Sequence, residues 1–127
     1  FSSNLAALRD RIRTTTVENI FAFNCASNHY SLYSTTGTPE PAHDDSLHLR
    51  PDSNILSVFQ WMLFETGFAA PGSVKSSVVP RQAAGSGSCG IAALNFAESR
   101  LDTEVASWET STSPFFRNCA LCDLILY

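Results

Sequence analysis

The chain has 127 residues, 44% of them hydrophobic and 16% charged, with a formal net charge of −4. Those proportions fit one folded domain around a single core and exclude a disordered tail. Eight scattered Lys and Arg residues face twelve acidic ones, which argues against nucleic acid as a partner, and no apolar run reaches the ~20 residues of a membrane span.

No secretory pattern opens the chain. It begins on Phe1 rather than Met, and residues 122–127 stop on an apolar run. The sequence therefore reads as one trimmed domain spanning residues 1–127. Its four cysteines (Cys25, Cys89, Cys119 and Cys122) are too few for a disulfide scaffold. They read as reduced thiols of the cytosol or nucleus.

In chain order, residues 5–13 predict a short helix with Asn4 as N-cap. Residues 17–23 are β-branched and aromatic and predict a strand, 24–28 a polar turn, and 29–33 a second strand that opens on His29. Thr35-Thr36-Gly37-Thr38-Pro39 is a turn signal, and a short strand over 42–47 follows it. Pro51-Asp52-Ser53 then caps a helix whose apolar positions are Ile55, Leu56, Phe59, Met62 and Leu63, with Gly67 as its C′ residue. Residues 74–79 predict a strand ended by Pro80, and 83–88 a Gly/Ser-rich loop. Residues 89–101 have the composition of a buried helix. A last helix from Pro114 to Tyr127 aligns Phe115, Cys119, Cys122 and Ile125 on one stripe, expected to pack. The order of elements is that of an α+β domain.

Chemistry gathers around Cys89, placed where the loop becomes a helix. A thiol at a helix N-terminus has its thiolate favoured by the dipole. Gly90 beside it lets a substrate or another backbone approach. An imidazole supports ionisation of the thiol, and a carboxylate behind the imidazole fixes its orientation. His29 and Asp45 supply these types, with Gln82 as an oxyanion donor seven residues before the cysteine. His43 and His48 compete with His29 but flank a charged, loop-like segment, and Asp44 competes with Asp45. No histidine follows Cys89, which excludes the papain order, and the caspase Gln-Ala-Cys signature is absent. The Cys119-x-x-Cys122 pair lacks the ligands of a zinc site and reads as packing. Cys25 reads as a bystander or a redox partner of Cys89. Gly85-Ser86-Gly87-Ser88 is no phosphate loop, because no Lys-Ser/Thr follows it.

The order His, Asp, Gln, Cys-Gly resembles the ubiquitin-like-protein-specific cysteine peptidases, the SUMO (sentrin) protease family. Asn28-His29-Tyr30-Ser31-Leu32 resembles the family's His-aromatic-x-Leu strand. Asp45-Ser46-Leu47, 16 residues after His29, resembles its Asp-Ser-Leu motif, and Gln82 with Cys89-Gly90 its Gln-to-Cys-Gly motif. The ending, from Phe115-Phe116-Arg117 to Asp123-Leu124-Ile125-Leu126-Tyr127, is similar to the terminal helices of members associated with mobile elements. The likeness covers residues 17–127. Ser88 stands where the family carries Asp, and the tryptophan that family members carry before the histidine has no counterpart, Trp61 and Trp108 both coming later.

The resemblance implies a papain-like cysteine peptidase core, a small mixed sheet flanked by helices, with the catalytic cysteine at the start of a central helix. It implies hydrolysis after the Gly-Gly end of a ubiquitin-like protein or its conjugate, without metal or cofactor. Cys89 is then nucleophile, His29 general base and acid, Asp45 its orienter and Gln82 the oxyanion donor, with Tyr30, Ser88 and Gly90 against the substrate. Two other readings remain open: an acyltransferase on the same triad, and a truncated domain that binds a ubiquitin-like protein without turnover.

Overall fold

The computed structural model describes residues 3–36, 40–66, 68 and 71–126. The expected turn residues Gly37, Thr38 and Pro39, the expected C′ residue Gly67 and the terminal Tyr127 lie outside the described residues.

Helix α1 (Ser3–Thr14) leads into strand β1 (Asn19–Ala26), which pairs antiparallel with β2 (His29–Thr36). Asn4 lies inside the first turn of α1 rather than capping it. The polar turn expected over 24–28 contracts to Ser27 and Asn28, whose φ values of 51° and 62° make a tight two-residue hairpin. Pairing carries β1 through Asn24, Cys25 and Ala26, so that Ala26 faces His29 across the ladder. Here cross-strand hydrogen bonding overrides the polarity of the segment.

Strand β3 (Ala42–Asp44) pairs antiparallel with β2, and helix α2 (Ser53–Leu63) crosses over to β4 (Lys75–Ser76), which lies parallel to β3. Both β3 and β4 are shorter than expected, so Asp45 falls just beyond the strand end. The start of α2 is as expected: the Asp52 carboxylate accepts the Asn54 N–H at 2.8 Å. Helix α3 (Cys89–Leu101) follows, then a single 3-10 turn, Thr110–Thr112, and helix α4 (Ser113–Leu126).

The result is an α+β fold: a four-stranded mixed sheet in the order β1-β2-β3-β4, with helices on both faces. One face buries Ile12 of α1, Ile20, Tyr33, and Phe59, Met62 and Leu63 of α2. The other buries Leu32 against Ala92, Ala93, Phe96 and Ala97 of α3, together with Trp108. Successive side chains of β2 feed opposite faces, so this central strand is buried on both sides. That double burial fixes its register, because a slip of one residue would exchange Leu32 and Tyr33 between two different cores.

Helix α4 corrects one expectation. Phe115 and Ile125 are exposed, as are Cys119 and Cys122, so the expected stripe faces outward. Phe116, one position on, packs against the α3 core instead. Helical period alone cannot choose between two stripes offset by one residue.

Candidate active site

His29 opens β2 directly after the hairpin, where the ladder holds its backbone while its side chain stays 14% exposed. Its Nε2 lies 2.8 Å from Asp45 Oδ1. A carboxylate only accepts, so the ring presents Nε2–H to Asp45, and in the neutral ring Nδ1 keeps the lone pair. The Leu47 N–H donates to the same carboxylate oxygen at 2.7 Å. The turn after β3 therefore aims Asp45 through its own backbone.

The other Asp45 oxygen lies 3.9 Å from His43 Nε2. His43 is buried and stacked on Tyr33, with ring centroids 4.5 Å apart. Burial lowers its pKa below the ordinary histidine value, outweighing the upward pull of Asp45 and Asp44. His43 is thus neutral near pH 7, and His29, at 2.8 Å rather than 3.9 Å, is the hydrogen-bonded partner of Asp45. His48, the other competitor, bonds the Val79 carbonyl at 2.9 Å and lies outside this cluster.

Cys89 is the first residue of α3, so its sulfur sits at the positive end of the helix. The thiol is buried and directs Sγ at the Asn28 carbonyl, 4.0 Å away, in the peptide that leads into His29. Packing of α3 on β2 thereby sets the thiol against the peptide bond that enters His29, a residue 60 positions earlier in sequence, 89 − 29.

Gln82 is attached to Ser46, the residue after Asp45. Its backbone N–H donates to the Ser46 carbonyl at 2.8 Å, and the Ser46 hydroxyl donates to Gln82 Oε1 at 2.8 Å. With Oε1 engaged, the amide nitrogen is the end left to donate. Ser46, 1% exposed and adjacent to Asp45, therefore ties the His29-bonded carboxylate to the Gln82 amide. In the sequence Ser46 carries no sign of this bond beyond its place in Asp45-Ser46-Leu47, because Gln82 lies 36 residues away.

Tyr30 and Gly90 meet: a Cβ added at Gly90 would touch the Tyr30 ring at 3.7 Å, an ordinary contact. The protein itself therefore does not demand glycine there. The Tyr30 hydroxyl is held by its cross-strand partner Cys25, which raises the phenol pKa, with the charges of Cys25 and Cys89 adding to the effect. Ser88, the N-cap residue of α3, is held within the protein. It is 1% exposed, and its hydroxyl is bonded to Ser86, Ser113 and Arg117.

Asp44 is also not the solvated neighbour that a charged pair at a strand end suggests. It is 1% exposed and takes a bidentate bond from Arg100 of α3, with contacts of 2.7, 3.1 and 3.2 Å. The two adjacent acids thus separate by direction, Asp44 towards α3 and Asp45 towards His29.

Among the described residues, no group of three His, Cys, Asp or Glu side chains could hold a metal ion. No described helix is long and apolar enough to cross a membrane. All four cysteines are free thiols.

No protein-family model and no curated protein matches the chain. Among solved structures, the chain is similar to the C-terminal Ulp1 protease domain, determined in complex with Smt3, the yeast ortholog of SUMO. The TM-score is 0.65 at 19% sequence identity, over 86% of this chain and 52% of that one. The chain therefore shares the fold of that protease domain and spans about half its length.

Proposed function

We propose that this domain is a cysteine peptidase that cleaves the peptide or isopeptide bond after the glycine end of a ubiquitin-like protein. The observation that carries the reading is the convergence of three groups: His29 bonded to Asp45 at 2.8 Å, and the Cys89 thiol at a helix tip against the peptide entering His29. The likeness to a protease domain bound to a SUMO ortholog supports the choice of substrate class.

In this mechanism Cys89 attacks the scissile carbonyl while His29 Nδ1 takes the thiol proton and then passes it to the departing amine. Asp45 holds the imidazole in the tautomer required and stabilises its charged form. The Cys89 N–H and the Gln82 amide nitrogen receive the oxyanion. Losing one such donor typically costs about 2.7–4 kcal/mol of transition-state stabilisation. A water deprotonated by His29 then hydrolyses the thioester. Tyr30 and Gly90 flank the passage through which a glycine tail enters. No step calls for a metal or cofactor, and the proposed setting is the nucleus or cytoplasm.

Ser46 sets the direction of the Gln82 amide in this scheme. Ser46→Ala is expected to lower kcat by about 10- to 100-fold with KM little changed, because a misaimed donor is lost in the transition state only. In a Gln82→Ala background the same substitution is expected to add almost nothing. Kinetics of the two single variants and the double variant check this; additive losses would remove Ser46 from the role.

The function itself is tested by incubating the protein with SUMO-type conjugates and analysing the products by mass spectrometry. Release of the modifier with a free glycine carboxylate is expected. Intact conjugate, or retention of the modifier without turnover, would overturn the peptidase reading.

A further inference from the structure

Helix α4 carries an exposed arginine whose side chain turns inward rather than outward. Arg117 Nη2 lies 3.1 Å from the Ser86 carbonyl, 3.1 Å from the Gly87 carbonyl and 3.1 Å from the Ser88 hydroxyl. These acceptors lie on the loop that leads directly into Cys89. Gly87, with φ of +60°, sits between the two peptide units concerned, and a left-handed turn there brings successive carbonyls towards one donor.

A second hydrogen-bond chain reaches the same loop from the core. The buried Trp108 Nε1–H donates to Ser113 Oγ at 2.9 Å, Ser113 to Ser88 Oγ at 3.0 Å, and Ser88 to the Ser86 carbonyl at 3.4 Å. Each hydroxyl accepts from one neighbour and donates to the next, an order in which each bond polarises the one after it. The Ser88 hydroxyl is therefore fixed by α4 from two directions, and the loop has little freedom left.

The geometry points to Arg117 as a positioning residue that fixes the backbone preceding Cys89, and through it the Cys89 N–H that receives the oxyanion; the catalytic part of this inference rests on the peptidase reading above. In a planar trans peptide, C=O and the next N–H point in opposite directions. Two carbonyls turned towards Arg117 therefore turn the N–H groups of Gly87 and Ser88 away from α4. The Cys89 N–H lies in the next peptide, whose carbonyl accepts the Ala92 N–H of α3 at 2.9 Å, so the Arg117 clamp on the Ser88 side and the helix on the other together set its direction. A donor is useful to a developing oxyanion only if it is already aimed. Arg117 supplies that aim without touching the reacting atoms.

The test is Arg117→Ala, with Arg117→Lys as the second variant in case alanine lowers the melting temperature. Hydrogen exchange of the amides of residues 87–89 is expected to accelerate about tenfold or more, while those of β2 keep their protection. On a cleavable substrate, kcat is expected to fall by about 10- to 100-fold with KM within about twofold. Millimolar guanidinium is expected to restore part of the lost kcat in Arg117→Ala, and equimolar ammonium is not. Unchanged loop exchange in both variants would overturn the clamp. Faster exchange with unchanged kcat would overturn its link to the oxyanion. If the unmodified protein cleaves nothing, the peptidase reading fails, while the exchange measurement still decides the clamp.

Discussion

Cys89→Ser is expected to leave the protein folded and to end hydrolysis. Serine is nearly isosteric, and the thiol's contact with the Asn28 carbonyl is a long one at 4.0 Å, so the packing of α3 on β2 has little reason to change. The chemistry has every reason to change. A thiol gives up its proton to an imidazole base readily, and its anion is a strong nucleophile. A hydroxyl holds its proton far more tightly, and an imidazole built to accept a thiol proton cannot compensate. Removal of the nucleophile from such a unit typically costs on the order of 10⁶ in kcat. Activity within tenfold of the unmodified protein would remove Cys89 from the role. A loss matched by a fall in Tm would make Cys89 structural.

Substitution of the two neighbouring acids is expected to give opposite outcomes. Asp45→Asn keeps the shape of the side chain but loses the charge that selects Nε2–H on His29. The wrong tautomer then meets the thiol, and kcat is expected to fall by about 10⁴ with little change in Tm. Asp44→Asn leaves His29 untouched and removes the buried charge that Arg100, itself 30% exposed, is bonded to. Losing a hydrogen-bonded charge partner of this kind costs about 1.5–3 kcal/mol, which lowers Tm by roughly 5–10 °C in a domain of this size. Its kcat per folded molecule is expected to stay within a few-fold of the unmodified protein. Thermal melts beside active-site-titrated kinetics separate the two. Equal kinetic losses would mean that the adjacent acids act as one group.

The difference between those acids shows where sequence reading reaches its limit. Local chemistry was legible: the cap at Asp52, the change from loop to helix at Cys89 and the strand opening on His29 all depend on residues within a few positions. The α+β class followed from the order of such elements. What stayed hidden depends on long-range pairing. Arg100 meets Asp44 across 56 residues, Ser46 meets Gln82 across 36, and Arg117 meets Ser86 across 31. No periodicity encodes those meetings. Strand ends were misjudged for the same reason, since the β1–β2 ladder, not the polarity of Asn24 and Cys25, decides where the hairpin turns. On α4, the choice between the Phe115 and Phe116 stripes waits on the surface that α3 offers.

The most direct test of the catalytic unit is covalent labelling with a ubiquitin-like protein ending in a glycine vinyl sulfone, read by peptide mapping. One adduct per chain is expected, at Cys89, with Cys25, Cys119 and Cys122 unmodified and with labelling slowed by orders of magnitude in Asp45→Asn. Labelling spread over the exposed thiols, or equally fast in Asp45→Asn, would contradict the account.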